Sequence, residues 1–346
     1  MKWNQVFALV PVAALTTLAV PTGGWAHADD TSAVQLGRVS FKVSCQADAQ
    51  REFDIAMAYQ HSFAQHLMRE PLDRALKADP ACGMVYWARA LASLDNPFGW
   101  PGNVSAATLA EGPVLLNQAR QTGLATQRER DYVDALGSFF ADADKLNHRT
   151  RAQALEKSLE ALATKYPDDR EAAILHSLVL SANFDPADKQ YKNQLRAAAI
   201  LEPEFAKQPQ HPGVAHYLIH SYDYPPIAAK GLDAANRYSK IAPAASHAQH
   251  MPSHIFTRVG AWNESIVANT ASAKADKTAG WNMLHAYDYM VYAHLQLGQD
   301  RAAGIVHDSS FAGTKRTDHF AAAYAYAAMP ARLALERADW VAAAKL

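Results

Sequence analysis

A 34-residue register constrains this chain more than any other feature. Pro209 and Pro243 are 34 residues apart, as are His216 and His250, and His220 and His254. Between these marks apolar residues step by three and four through 51–67, 151–166 and 286–297, the rhythm of amphipathic helices. Alanine is abundant, glycine is scarce, and no alternating run of β-branched residues bounded by turns stands out. Asp79-Pro80, Tyr166-Pro167, Gln208-Pro209 and Ala242-Pro243 each separate two apolar-periodic runs, where a residue without a backbone donor can close one helix pair and open the next. Gly260 before Ala261-Trp262-Asn263-Glu264 and Gly298 before Gln299-Asp300-Arg301 read as turns inside a pair. The expectation is an all-α chain of helix-turn-helix units, each needing its neighbours to cover its apolar face.

A period near 34 residues with this punctuation is similar to that of tetratricopeptide (TPR) repeats. The chain resembles bacterial exported TPR proteins. The strings His211-Pro212-Gly213-Val214-Ala215-His216-Tyr217-Leu218-Ile219-His220 and His247-Ala248-Gln249-His250-Met251-Pro252-Ser253-His254-Ile255-Phe256 resemble those of a poorly characterised group among them. The resemblance covers most of residues 45–346 and is degenerate between about 95 and 145. It implies a right-handed α-solenoid in which the first helix of each pair lines a concave, ligand-binding side. The expected organisation is a signal peptide at 1–28, a linker at 29–44, an N-terminal hairpin at 45–95, a degenerate helical connector at 96–145, and repeats carrying the histidines at 146–346. Asp339-Trp340 looks like the start of a second helix in a hairpin, so the last repeat reads as truncated at Leu346.

Lys2, the apolar run from Val6 to Val20 and the small residues around Ala26-His27-Ala28 have the layout of a secretory signal cleaved after Ala28. A periplasmic or secreted location follows, with no integral membrane segment once the signal is removed. In an oxidising compartment Cys45 and Cys82, 37 residues apart, are expected to form a disulfide stapling the first hairpin. Two buried thiols or a metal pair are the alternatives. A formal net charge of -1, with no basic stripe carrying interleaved aromatics, argues against nucleic acid as a partner.

Ten of the fifteen histidines lie beyond residue 210. His216 with His220, and His250 with His254, are spaced four apart, which sets two imidazoles on one helix face a turn apart. His247 precedes His250 by three. His285 stands 38 residues after His247, in a repeat with a four-residue insertion, and Asp288 then falls where His250 would be. Asp223 follows His220 by three and points roughly the same way. His216, His220, Asp223, His247, His250, His254, His285 and Asp288 are therefore expected on one stretch of the inner groove as a transition-metal site. They could form two mononuclear sites, a dinuclear site, or one ion with carboxylates orienting its ligands. Imidazoles without thiolates suit Cu or Zn first, with Fe also open. Pro252 is the difficulty, because a helix that starts there puts the facing of His247 and His250 in question.

His211 is expected to cap or pack, and His61 is set aside. His66, His148, His176, His294, His307 and His319 read as structural or surface residues. Tyr217, Tyr222, Tyr224, Tyr287 and Tyr289 flank the cluster. The turn-rich segment 96–102, with Phe98 and Trp100, is either a ligand-contact loop or an irregular connector. Metalloprotease, thiol-redox, phosphate-loop and nucleophile-elbow motifs are missing. Two functions fit. One is an exported binding scaffold whose concave groove holds a peptide or protein partner and carries the metal site. The other is a metal-dependent periplasmic enzyme, an oxidase or hydrolase, acting on a small-molecule substrate at the same histidines.

Overall fold

The computed structural model describes residues 35–278, 280–313 and 319–346. The expected signal peptide and residues 29–34 of the expected linker lie outside the described residues. The described chain is helical, with no strand among the described residues. Its first half comprises α1 (Ala47–His61), α2 (Arg69–Ala78), α3 (Met84–Ser93), α4 (Ala106–Thr122), α5 (Gln127–Phe140), α6 (His148–Lys165), α7 (Arg170–Ala182) and α8 (Lys192–Lys207). There follow α9 (Pro212–Tyr222), α10 (Leu232–Ile241), α11 (Ser246–His250), α12 (Pro252–Val259), α13 (Trp262–Ala275), α14 (Trp281–Gln296), α15 (Asp300–Gly313), α16 (Phe320–Leu335) and α17 (Trp340–Ala343).

Local chemistry explains the boundaries. Pro80, Pro167, Pro209 and Pro243 all fall in gaps between helices. Side chains of Ser105, Thr126, Asn147, Asp169 and His211 accept hydrogen bonds from backbone N–H groups in the first turns of α4, α5, α6, α7 and α9, satisfying donors that have no intrahelical partner. Gly260 at φ 77° and Gly298 at φ 70° take the left-handed conformation that ends α12 and α14, so both expected turns form. The region 96–145, expected as a degenerate connector, contains α4 and α5.

Consecutive helices pack on one another in series, and two cores result. The larger runs from Leu36 to Phe256; the smaller is built by α14, α15 and α16 around Leu284, Val291, Leu295 and Met329. Helix α1 also touches α9, a contact across more than 150 residues of sequence that closes part of the array on itself.

Residues 35–44 are not a loose linker. Leu36, Val39, Phe41 and Val43 are buried, and the Phe41 ring lies 5.5, 5.3 and 5.0 Å from those of Phe53, Trp87 and Tyr132. Helix α1 answers the backbone polarity of this strap: Phe41 N–H donates to Asp54 Oδ1 at 3.0 Å and Val43 N–H to Gln50 Oε1 at 2.8 Å. Burying Phe41 alone stabilises the fold by about 1.5–3 kcal/mol, which is why the segment is bound into the core. Cys45 and Cys82 are disulfide-bonded, joining the end of this strap to the start of α3. Among the described residues no helix is long and apolar enough to cross a membrane.

Candidate metal centre

Six of the eight expected ligands come together as two triads. His216 and His220 of α9 meet His247 of α11, and His250 and His254 meet His285 of α14. Each triad thus takes an i, i+4 pair from one repeat and its third imidazole from the next. Within each triad the candidate ligand atoms lie within 4.8 Å of one another. In the first, His216 Nε2 is 3.1 Å from both His220 Nε2 and His247 Nε2. Nitrogens so spaced match the edges of a tetrahedron around an ion bonded at ~2.0–2.1 Å. The triads are neighbours, with ring centroids 6.1 Å apart between His247 and His250 and 6.2 Å between His220 and His254.

Pro252 does not break the second pair. It takes the first position of α12, where a missing N–H costs nothing. Met251 between α11 and α12 keeps right-handed helical angles, φ -54° and ψ -36°. His250 and His254 therefore stay one turn apart on one face, with Nε2 atoms separated by 2.9 Å.

Groups behind the rings fix which nitrogen carries the proton. His216 Nδ1–H donates to the His61 carbonyl at 2.7 Å, so its Nε2 presents a lone pair. Asn269 Nδ2 donates to the Ser265 carbonyl at 2.8 Å, which turns its Oδ1 toward His250 Nδ1 at 2.6 Å. His250 Nδ1 is then the donor and its Nε2 a lone pair. Asp223 Oδ2 lies 2.7 Å from His254 Nδ1, while its Oδ1 accepts from Arg258 Nε at 2.8 Å. Burial opposes ionisation of Asp223, but His254 and Arg258 outweigh it and keep the carboxyl below its ordinary range. The carboxylate can only accept, so His254 donates through Nδ1.

His250 Nε2 and His254 Nε2 lie 2.9 Å apart. Burial, reinforced by the neighbouring imidazoles, holds His250 well below its ordinary pKa. The same cause pulls His216 and His285 down to about 3 and His220 and His247 far below the usual value. The Nδ1 atoms of His247 and His285 are buried without a hydrogen-bond partner. Burial thus favours the neutral form of His216, His220, His247, His250 and His285, the form in which a ring nitrogen can bind a metal.

The two expected carboxylates part company. Asp223 orients a ligand from behind. Asp288 is buried and ion-paired through Oδ1 with Arg332 of α16, and it belongs to neither triad. A third His/Glu group, His61, Glu171 and His211, is also close enough to hold an ion, but its polar atoms pair within the protein. Glu171 Oε2 lies 3.0 Å from His61 Nε2 and its Oε1 2.8 Å from His211 Nε2. His61 Nδ1 meets the Tyr217 hydroxyl at 2.9 Å, and His211 Nδ1 accepts from Val214 N–H at 3.3 Å. Burial opposes charge on Glu171, yet the two histidines hold it well below the carboxylate range. This cluster braces the His61 carbonyl that orients His216. Of the flanking tyrosines, Tyr222 is bound to Glu202 and Tyr224 to Gln194, while Tyr289 borders the second triad.

Aromatic rings wall the triads. Phe63, at φ 49° just after α1, sets its ring 4.4, 5.6 and 5.4 Å from those of His216, His220 and His247. Tyr289 does the same at 4.9, 5.0 and 5.2 Å from His250, His254 and His285. Phe98 of the turn-rich segment stacks on His220 at 3.9 Å and 10°, whereas Trp100 packs inward on Phe139 at 5.1 Å. The loop is therefore a site contact at one aromatic and a core contact at the other. A cavity of ≈ 220 Å³ adjoins both triads, reaching His220, His247, His254 and His285. No protein-family model matches the chain, and no curated protein matches it.

Proposed function

We propose that this protein is an exported, oxygen-dependent oxidase whose paired triads hold two copper ions, carried on TPR-like repeats that continue as a solenoid. The observation that carries the reading is the convergence of six imidazoles as two adjacent triads, each with its candidate ligand atoms within 4.8 Å of one another. Three imidazoles per ion leave each coordination sphere incomplete beside a cavity, the condition for reactivity rather than bracing alone.

Copper is preferred over a zinc hydrolase on charge. The two triads contain no carboxylate, and the nearest one, Asp223, is already offset by Arg258. Six neutral donors do little to compensate two buried divalent cations, and uncompensated buried charge is expensive. Monovalent copper, the reduced state that meets dioxygen, halves that burden. Imidazole suits zinc as well as copper, and three neutral histidines can hold a single catalytic zinc, so the preference rests on two ions lying side by side. A bound copper pair would supply one-electron couples that together reduce dioxygen. The chain's part is to hold the tautomers through the His61 carbonyl, Asn269 and Asp223, to exclude bulk water with Phe63 and Tyr289, and to keep one side open for a reductant. The Cys45–Cys82 bridge supports an oxidising compartment. A peptide-binding scaffold has less support at this position, since the histidines turn their ligand atoms on one another rather than outward.

Metal analysis of untagged protein after anaerobic loading with Cu(I) tests the reading. Two copper per chain are expected, falling to one or none in His220→Ala and in His254→Ala, with oxygen uptake when a reductant is supplied. A wild-type protein that retains one copper or fewer after desalting, or two copper with no oxygen uptake from any of a panel of reductants, would sink it.

A further inference from the structure

The cavity against the triads has a defined size and lining. Its ≈ 220 Å³ exceeds the ~150 Å³ that houses a benzene molecule in an apolar protein cavity by room for small substituents, and falls below the ~300 Å³ where pockets for larger ligands begin. One ring fits. The lining carries four aromatic rings, Phe63, Phe98, Trp281 and Phe320, together with Asn96 and Asn103 and imidazoles of both triads. Two of these rings belong to stacked pairs, Phe98 on His220 at 3.9 Å and 10°, and Trp281 on His319 at 4.3 Å and 11°. These pairings hold the two rings in place, and aromatic rings in the lining favour a flat π-system over a puckered ring of equal volume. No lysine or arginine is among the lining residues, whereas Asp95 is. An anionic ligand would meet no counter-ion and one like charge, so the ring should be neutral.

From these features we infer that the cavity binds a single neutral hydroxylated benzene ring, and that an ortho-diphenol of this class is the reductant of the centre. The chemistry rests on the copper reading above; the binding does not. For an ortho-diphenol the balance is complete. Two molecules break four O–H bonds and give four electrons and four protons to one dioxygen, whose O–O bond breaks, leaving two ortho-quinones and two waters. The lining imidazoles set the hydroxyl edge toward the triads, while the ring stays among the aromatic side chains.

The test separates binding from redox chemistry. Phenol, cyclohexanol and benzoate are titrated into metal-free protein and followed by ligand-observed NMR. Phenol is expected to bind saturably and at least tenfold more tightly than either competitor, and Trp281→Leu to weaken it at least tenfold. Absence of saturable phenol binding, or equal binding of cyclohexanol, overturns the inference using wild-type protein alone, so a misfolded variant cannot rescue or spoil it. A folded Trp281→Leu protein with wild-type phenol affinity also overturns it. Copper stoichiometry on the same preparation tells the two readings apart. A copper pair without phenol selectivity removes only the aromatic slot, and phenol selectivity without a copper pair removes only the oxidase.

Discussion

Asn269 does for His250 what no member of the histidine register could do. An amide has a donor end and an acceptor end, and the Ser265 carbonyl takes the donor end, so Oδ1 must face the imidazole. Groups that orient a ligand from behind commonly govern metal affinity by 10–100-fold. Asn269→Leu, of similar volume, should therefore lower copper affinity by about ten- to a hundredfold in chelator competition, while Asn269→Asp, which keeps the acceptor, should lose less. Equal affinity of the Leu variant and wild type would show that His250 needs no such guide. The same scale explains the misplaced Asp288. Its register position matched that of His250, but Arg332 comes from α16, 44 residues away in sequence, and a buried carboxylate goes to the nearest cation rather than to a set of neutral rings.

At the scale of helices, the i, i+4 pairs were legible because helical spacing is local and the 34-residue register repeats it, and the third ligands, His247 and His285, were legible only by allowing a four-residue insertion that sets them 38 apart. What lay beyond reading comes from contacts that no spacing encodes. Phe63 reaches the first triad from the end of α1, Phe98 arrives on a loop, and the His61 carbonyl is brought to His216 only because α1 crosses α9. Glu171 had no sequence signal beyond its helix. The strap at 35–44 did carry one, the alternation of Val39, Phe41 and Val43 into the core. It is a short run outside the helical rhythm, and beside repeats it reads as a linker. The crossing itself depends on Gly213: a Cβ there would stand 2.5 Å from His61 Nδ1 and 2.8 Å from its Cγ. His61 is pinned by Glu171 and Tyr217 and cannot step aside cheaply. Gly213→Ala should therefore destabilise by about 1–3 kcal/mol, the usual cost of overpacking, and weaken copper binding by displacing the carbonyl behind His216. A variant with the wild-type urea midpoint and copper affinity would mean that α1 and α9 part without consequence.

For the whole molecule, the two triads differ in what they join. His216, His220 and His247 all stand on α9 and α11, within the larger core, whereas His285 stands on α14, next to Leu284 of the smaller core. An ion in the second triad would tie the two cores together, and an ion in the first would not. Ligand binding to the native state alone adds about 2.7 kcal/mol at a hundredfold excess over Kd, and local opening is suppressed where the new bonds restrain it. Amide hydrogen exchange should consequently slow on copper loading through α14 and the helices packed on it, α15 and α16, by more than in α5 and α6, which do not pack on a helix that carries a triad histidine. His285→Ala should erase the slowing in α14–α16 while leaving any slowing in α9, and His216→Ala should do the reverse. Uniform protection across the chain, or identical patterns in the two variants, would show that the triads do not act as separate braces and that the smaller core is held by packing alone.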